Sequence, residues 1–344
     1  MIRHLRLIPL LLSMLVAPII AIAAKPIKPP ALKPGDTIAI VAPSRPVDME
    51  ALEMVRKGLE AQGFKVKTAA NVGKRWGYLS GGDEERARGI MDAWRDPEVN
   101  AIFCAIGGSG TTRMMDQLDY DYIRKHPKIF TGYSDITGLH LSIRKKANII
   151  TFHSPNSKYV YANSVKDRPY AAPIFWRMMR GEQPQPGAEM TYDTTSLTTQ
   201  TLCIAPGVAE GRLVGGNLSL VAAIMGTPYE PDTDGHILFL EDVHEEPYRI
   251  DRMLSTLRLA GKLDKCAGVV LGRFTDCNAE DPKKSFTIDE VLDQYFKGRP
   301  YPVISRFPVG HIEDNVTLPE GALARIDGDR GTLTILETVV EAKK

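Results

Sequence analysis

Net charge is nearly absent from this chain: 43 Lys and Arg stand against 42 Asp and Glu, a formal charge of +1. Without a clustered basic excess there is no electrostatic footprint for a phosphate backbone, which excludes nucleic acid as a partner. Cysteine is scarce as well. Four occur in 344 residues, and Cys104, Cys203, Cys266 and Cys277 show no metal-ligand spacing. No metal or other cofactor is expected. Cys266 and Cys277 could pair in an oxidising compartment, whereas Cys104 sits in an apolar run and reads as a buried thiol. Internal repeats and low-complexity blocks are missing. So is Gly-x-x-x-x-Gly-Lys-Ser/Thr, and Gly107 to Gly110 does not satisfy Gly-x-Gly-x-x-Gly. A nucleotide binder or oxidoreductase built on that loop is therefore a poor reading.

What is present is an ordinary globular composition, 43% hydrophobic and 25% charged, long enough for two domains with a core in each. The N-terminus differs in kind. Arg3, His4 and Arg6 precede an uncharged run from Leu7 to Ala23, which ends in the small residues Ala21-Ile22-Ala23-Ala24. This is the pattern of a secretory signal peptide over residues 1–24, and it predicts a periplasmic or secreted protein with no stable membrane span after cleavage. The competing reading is an uncleaved anchor, for which the run is slightly short and carries Pro18.

Beyond a proline-rich leader, short apolar runs alternate with helical patterns. Asp36 to Ala42 reads as a buried strand, Asp48 to Gln62 as a helix with Leu52, Val55 and Leu59 on one face, and Lys65 to Thr68 as a strand. A helix over Asp83 to Asp96, a buried strand over Ala101 to Ile106, and a helix through Met114, Met115 and Leu118 follow. This β-α-β-α order predicts an α/β fold with a mostly parallel sheet, in which sites lie beyond the carboxyl ends of the strands. The expected division is an N-terminal nucleophile domain over 25–158, a proline- and threonine-rich connection over 159–205, and a C-terminal mixed α/β domain over 206–344.

Within this frame, Ile129 to Leu139 reads as a strand turning sharply into a helix with Ser134 at the bend, the pattern of a nucleophile elbow. It lacks the second glycine of Gly-x-Ser-x-Gly, and the alternative is that Ser134 or Asp135 merely caps a helix. Gly107-Gly108-Ser109-Gly110 is either a tight turn or a loop whose amides approach a phosphate or an oxyanion. A serine nucleophile needs a base and an acid. Of the seven histidines, His311 after Phe307-Pro308-Val309-Gly310 is the best-placed base, although loop histidines are often only solvated. His140 points along its helix, and His153 follows a strand where it could line a cleft. Glu241 ends the apolar run Leu238-Phe239-Leu240, where a carboxylate is costly without a partner, and it is the acid to pair with His311.

Taken together, Gly107-Gly108-Ser109-Gly110, Gly132-Tyr133-Ser134-Asp135, Gly215-Gly216-Asn217-Leu218, Leu240-Glu241-Asp242-Val243 with Glu246 to Leu254, and Pro308-Val309-Gly310-His311 resemble the LD-carboxypeptidase family of serine peptidases, a group that includes microcin-immunity peptidases. The resemblance runs from Lys33 to Gly321. It implies a Ser134–His311–Glu241 triad, an oxyanion hole formed by the amides of Gly108 and Asp135, and a class I glutamine-amidotransferase-like nucleophile domain. It further implies a homodimer without metal and removal of terminal D-alanine from murein tetrapeptides. Arg113, Arg249 and Arg273 are candidates to hold the terminal carboxylate. Two departures bear on substrate choice: Ser109 stands where many relatives carry another residue, and His153-Ser154-Pro155 replaces a common His-Gly-Pro. The alternatives are a microcin-immunity-like peptidase acting on another peptide or aminoacyl-nucleotide conjugate, and a periplasmic binding module that has lost catalysis.

Overall fold

A computed structural model describes residues 25–156, 158–182, 189–195, 197 and 199–343. The expected signal peptide, residues 1–24, lies outside the described residues. The first part runs β1 (Thr37–Val41), α1 (Met49–Glu60), β2 (Lys65–Thr68), α2 (Asp83–Arg95), β3 (Val99–Cys104), α3 (Tyr120–Lys125), β4 (Ile129–Gly132), α4 (Thr137–Ala147) and β5 (Thr151–His153). Then come α5 (Lys158–Tyr161), α6 (Ala171–Arg180), β6 (Met190–Thr191) and β7 (Leu202–Ala205). The last part is β8 (Val208–Asn217), α7 (Leu218–Ala223), β9 (His236–Val243), α8 (Pro247–Leu259), β10 (Gly268–Thr275), α9 (Ile288–Phe296), β11 (Val303–Ser305), β12 (Leu318–Glu320), β13 (Leu323–Asp327) and β14 (Thr332–Ile335).

These strands form two sheets. The six-stranded sheet has the order β12-β5-β4-β3-β1-β2 and is parallel apart from β12. The eight-stranded sheet has the order β6-β14-β13-β8-β9-β10-β11-β7, with β8 to β11 parallel at its centre and antiparallel strands outside. The α/β architecture expected from the strand–helix alternation is the one observed.

Local chemistry explains the element ends. Asp48 starts α1 by accepting the Ala51 amide at 2.8 Å, and Leu52, Val55 and Leu59 face the core. Thr287 and Glu290 form a capping box at α9. Central strands read as continuous apolar runs because helices cover both faces: β1 is buried at every position.

Two stretches depart from the sequence reading. The helix expected through Met114, Met115 and Leu118 is a pair of 3₁₀ turns, Thr111–Arg113 and Met115–Gln117. Gly110 enters them at φ 115°, and Asp119 ends them by capping α3 through the Tyr122 amide, so no room remains for a longer helix. The connection over 159–205 carries more structure than its prolines suggest. Pro173 lies in the first turn of α6, where an amide hydrogen has no helical partner to lose. Phe175 and Trp176 of that helix pack with Tyr161 on Phe103 of β3.

The seam between the sheets is tight. A side chain at Gly216 would put its Cβ 2.5 Å from Thr137 Oγ1, and the Asn217 amide donates to that same hydroxyl at 3.0 Å. Gly216 thus allows β8 to lie against the start of α4. Among the described residues, no helix is long and apolar enough to cross a membrane.

Candidate active site

The carboxyl ends of β1, β3 and β4 face those of β8 and β9 across the seam. Ser134 sits at the turn out of β4, in a short 3₁₀ segment that leads straight into α4. Its φ is 63°, a left-handed conformation that a side chain adopts only under constraint from its surroundings. The glycine loop after β3 packs directly on it: a Cβ at Gly107 would fall 2.9 Å from Ser134 Cβ. Asp135, buried beside it, accepts from Ser44 Oγ at 2.6 Å and from the Thr111 amide at 3.1 Å. The bend is therefore tied to the loops after β1 and β3. Burial raises the Asp135 carboxyl above its ordinary range against those hydrogen bonds.

His311 comes from the loop after β11 and joins the other two residues. Its Nε2 lies 3.0 Å from Ser134 Oγ, and its Nδ1 lies 2.8 Å from Glu241 Oε2. With Glu241 ionised, only Nδ1–H can donate in that contact, so the neutral ring must accept the serine proton at Nε2. Glu241 is wholly buried, its Oε1 has no hydrogen-bond partner among the described residues, and its Oε2 meets the imidazole. Its neighbour Asp242 faces elsewhere, held by Asn217 Nδ2 at 3.0 Å and by the Ser219 amide and hydroxyl at 2.9 and 2.8 Å. Burial and the Glu241 charge push Asp242 up to about 6.

Gly310 makes the Glu241–His311 contact sterically possible. Its φ is 130°, and a Cβ there would approach Glu241 Oε2 to 3.0 Å and the Arg273 carbonyl to 3.1 Å. Gly310→Ala is expected to displace the imidazole and lower kcat by about 100-fold, since a shift near 1 Å at such a contact has that effect. Steady-state kinetics beside a thermal melt checks this, and a kcat within threefold of the parent would refute it.

Two other histidines, His140 and His153, have structural places. His140 Nε2 is bonded to the Gly132 carbonyl at 2.8 Å, and burial brings its pKa down to about 4, so it is neutral at pH 7. His153 is wholly buried behind Tyr133 and Phe239 and does not line the cleft. Burial holds it well below the ordinary histidine range. The four cysteines are free thiols, and Cys203 is the exposed one. Among the described residues, no group of three His, Cys, Asp or Glu side chains could hold a metal ion.

Beside His311 opens a cleft of about 370 Å³, walled by Tyr133, Asn156, Arg168, Glu313 and Asn315. None of the three arginines singled out from the sequence lies in it. Arg113 is engaged by Asp83 at 2.9 Å and lies over Trp76. Arg249 is exposed on α8 against Tyr248 and Glu245. Arg273 lines a separate cavity of about 240 Å³ with Arg306, on the other side of the Ile312–Glu313 turn. The sequence reading missed Ser44, Thr111 and Arg168. Ser44 could have been found by its place just beyond β1, whereas Arg168 carries no local signal.

Comparison with known proteins decides the family. Residues 38–154 match the LD-carboxypeptidase N-terminal domain, and residues 210–326 match the LD-carboxypeptidase C-terminal domain. A probable murein peptide carboxypeptidase of Bacillus subtilis is 40% identical over 91% of this chain and 96% of its own length. The chain belongs to the LD-carboxypeptidase family. As a serine-type carboxypeptidase of that family, it is also similar to the microcin C7 self-immunity protein MccF of Escherichia coli, 30% identical over 94% of this chain and 99% of that protein. The crystal structure of the muramoyltetrapeptide carboxypeptidase from Oxalobacter formigenes superposes with a TM-score of 0.73 at 30% identity, covering 90% of this chain and 100% of the other. The two family matches fall one on each side of the seam, so the Ser134 bend belongs to the N-terminal domain and Glu241 and His311 to the C-terminal domain of an LD-carboxypeptidase.

Proposed function

We propose that this enzyme releases terminal D-alanine from murein tetrapeptides through an acyl-enzyme on Ser134. The observation that carries the reading is the continuous hydrogen-bonded chain Ser134–His311–Glu241, which spans two domains and ends on a wholly buried carboxylate. Murein peptides appear in the names of close relatives, which supports the substrate class.

In this mechanism Ser134 Oγ attacks the carbonyl carbon of the scissile bond while its proton passes to His311 Nε2. Glu241 holds Nδ1–H and stabilises the imidazolium that forms. The amides of Gly108 and Asp135 would receive the oxyanion. The Asp135 amide opens a 3₁₀ turn, where the first N–H groups lack helical acceptors, and Gly108 sits at φ 136° in a loop packed on the serine. His311 then gives its proton to the amine of the leaving D-alanine. A water next loses a proton to His311 and attacks the ester, which frees Ser134.

Mass spectrometry of purified muropeptides incubated with the mature protein tests the reading. Loss of one alanine from tetrapeptide stems is expected, and intact stems would reject it. A second reading, cleavage of an aminoacyl-nucleotide conjugate, is favoured by the similarity to the microcin self-immunity protein. Parallel assays on tetrapeptide and aminoacyl-sulfamoyl adenosine separate the two. The proposal includes export to the periplasm by the N-terminal segment and action as a homodimer, to be checked by cell fractionation and by light scattering.

A further inference from the structure

The cleft next to His311 has walls made of unsatisfied hydrogen-bond donors. Asn315 is 1% exposed, and its Oδ1 accepts the Gly310 amide at 3.0 Å while its Nδ2 is buried with no partner. Asn156 Nδ2, from the segment after β5, is likewise buried without a partner. Both residues line the same cleft as Arg168 and His311. A buried amide donor left unpaired is uncommon in a folded protein, and here two line one cleft.

Arg168 supplies the charge. Its Nη1 donates to the Asp167 carbonyl at 2.7 Å, its Cζ lies over the Tyr159 ring at 5.1 Å from the centroid, and its Nη2 stands 3.5 Å from Glu313. The Glu313 side chain is 83% exposed, against 19% for Arg168. An ion pair with so solvated a carboxylate is weak and readily exchanged. The guanidinium is fixed by its stack and its carbonyl contact, while its acid partner is free to turn into water.

A fixed guanidinium and two amide N–H donors beside the nucleophile are the complement of a carboxylate, which accepts several hydrogen bonds and prefers charged donors. The geometry points to Arg168, Asn156 and Asn315 as the subsite for the free carboxylate of the residue that leaves, with Glu313 displaced on binding. This assignment rests on the acyl-transfer reading above and deepens it by naming the residues that would recognise the free C-terminus. Internal peptide bonds and C-terminally blocked peptides would present the donors with no anion. These are binding residues; the bond-breaking atoms remain those of Ser134 and His311.

The test compares a murein tetrapeptide with its C-terminal carboxamide as substrates for the wild type, Arg168→Met and Asn315→Asp. Asn315→Asp keeps an acceptor for the Gly310 amide but replaces the donor with a repelling oxygen. The wild type is expected to prefer the acid by roughly 10–100-fold in kcat/KM, the range for losing a hydrogen bond to a charged group. In both variants that preference collapses toward unity, mainly through KM on the acid. A wild type indifferent between acid and amide overturns the assignment, as does a preference that survives both substitutions. If the wild type cuts neither peptide, the reaction reading has failed, and the subsite is judged by calorimetric binding of both peptides to Ser134→Ala. Tighter binding of the acid, lost when Arg168→Met is added, upholds the subsite; equal binding or none overturns it.

Discussion

Ser134→Ala is expected to lower kcat on a murein tetrapeptide by about 10⁴–10⁶-fold while the protein stays folded, because the oxygen that would form the ester is removed and nothing else replaces it. The serine contributes little to the core. Its side chain meets the His311 ring and the glycine loop at the seam, and its backbone is held at φ 63° by the turn itself, a conformation alanine shares at similar cost. Loss of activity with a melting temperature within about 2 °C of the parent separates chemistry from folding. Retention of more than a hundredth of the wild-type rate would reject Ser134 as the nucleophile.

Glu241→Gln is the second large effect, expected at about 10³–10⁴-fold in kcat. The volume is unchanged, but an amide can present an N–H to Nδ1 and so stabilise the tautomer that carries its proton on Nε2, where the serine proton must arrive. It also cannot offset the charge of the imidazolium. Asp242 offers no rescue, since Asn217 and Ser219 hold both of its oxygens. Single-turnover kinetics on the variant measures this, with a rate within tenfold of wild type as the outcome that excludes the role.

Much of this arrangement was legible in the chain because the relevant residues end apolar strands. Glu241 follows Leu238-Phe239-Leu240, and Gly132 and the bend at Ser134 follow Ile129-Phe130-Thr131, so strand ends could be read as one face of a sheet. The β1, β3 and β4 runs were clear for the same reason: buried parallel strands have no polar face to blur them. Local pattern failed where distant contacts decide. Met114, Met115 and Leu118 have helical spacing, but the Thr111 amide and hydroxyl are committed to Asp135, across the top of the sheet. In the connection, α6 was hidden by Pro173, which the first turn of a helix tolerates. Asn156, Arg168 and Asn315 meet only in three dimensions, so no window of sequence could have linked them. The arginines chosen instead sat near motifs in sequence: Arg113 and Arg249 pair with Asp83 and Glu245, and Arg273 lines a separate cavity.

The edge strand β12 has a mechanical consequence. It arises after His311 in the chain, yet Leu318, Pro319 and Glu320 run antiparallel to His153, Phe152 and Thr151 at the margin of the opposite sheet. The C-terminal half is thereby laced into the N-terminal half a few residues from the imidazole. Swinging the halves apart like jaws would break this ladder, so the pairing opposes any widening of the gap between alcohol and imidazole. Genetic separation of the halves before residue 318 would leave β5 with an unpaired, aggregation-prone border.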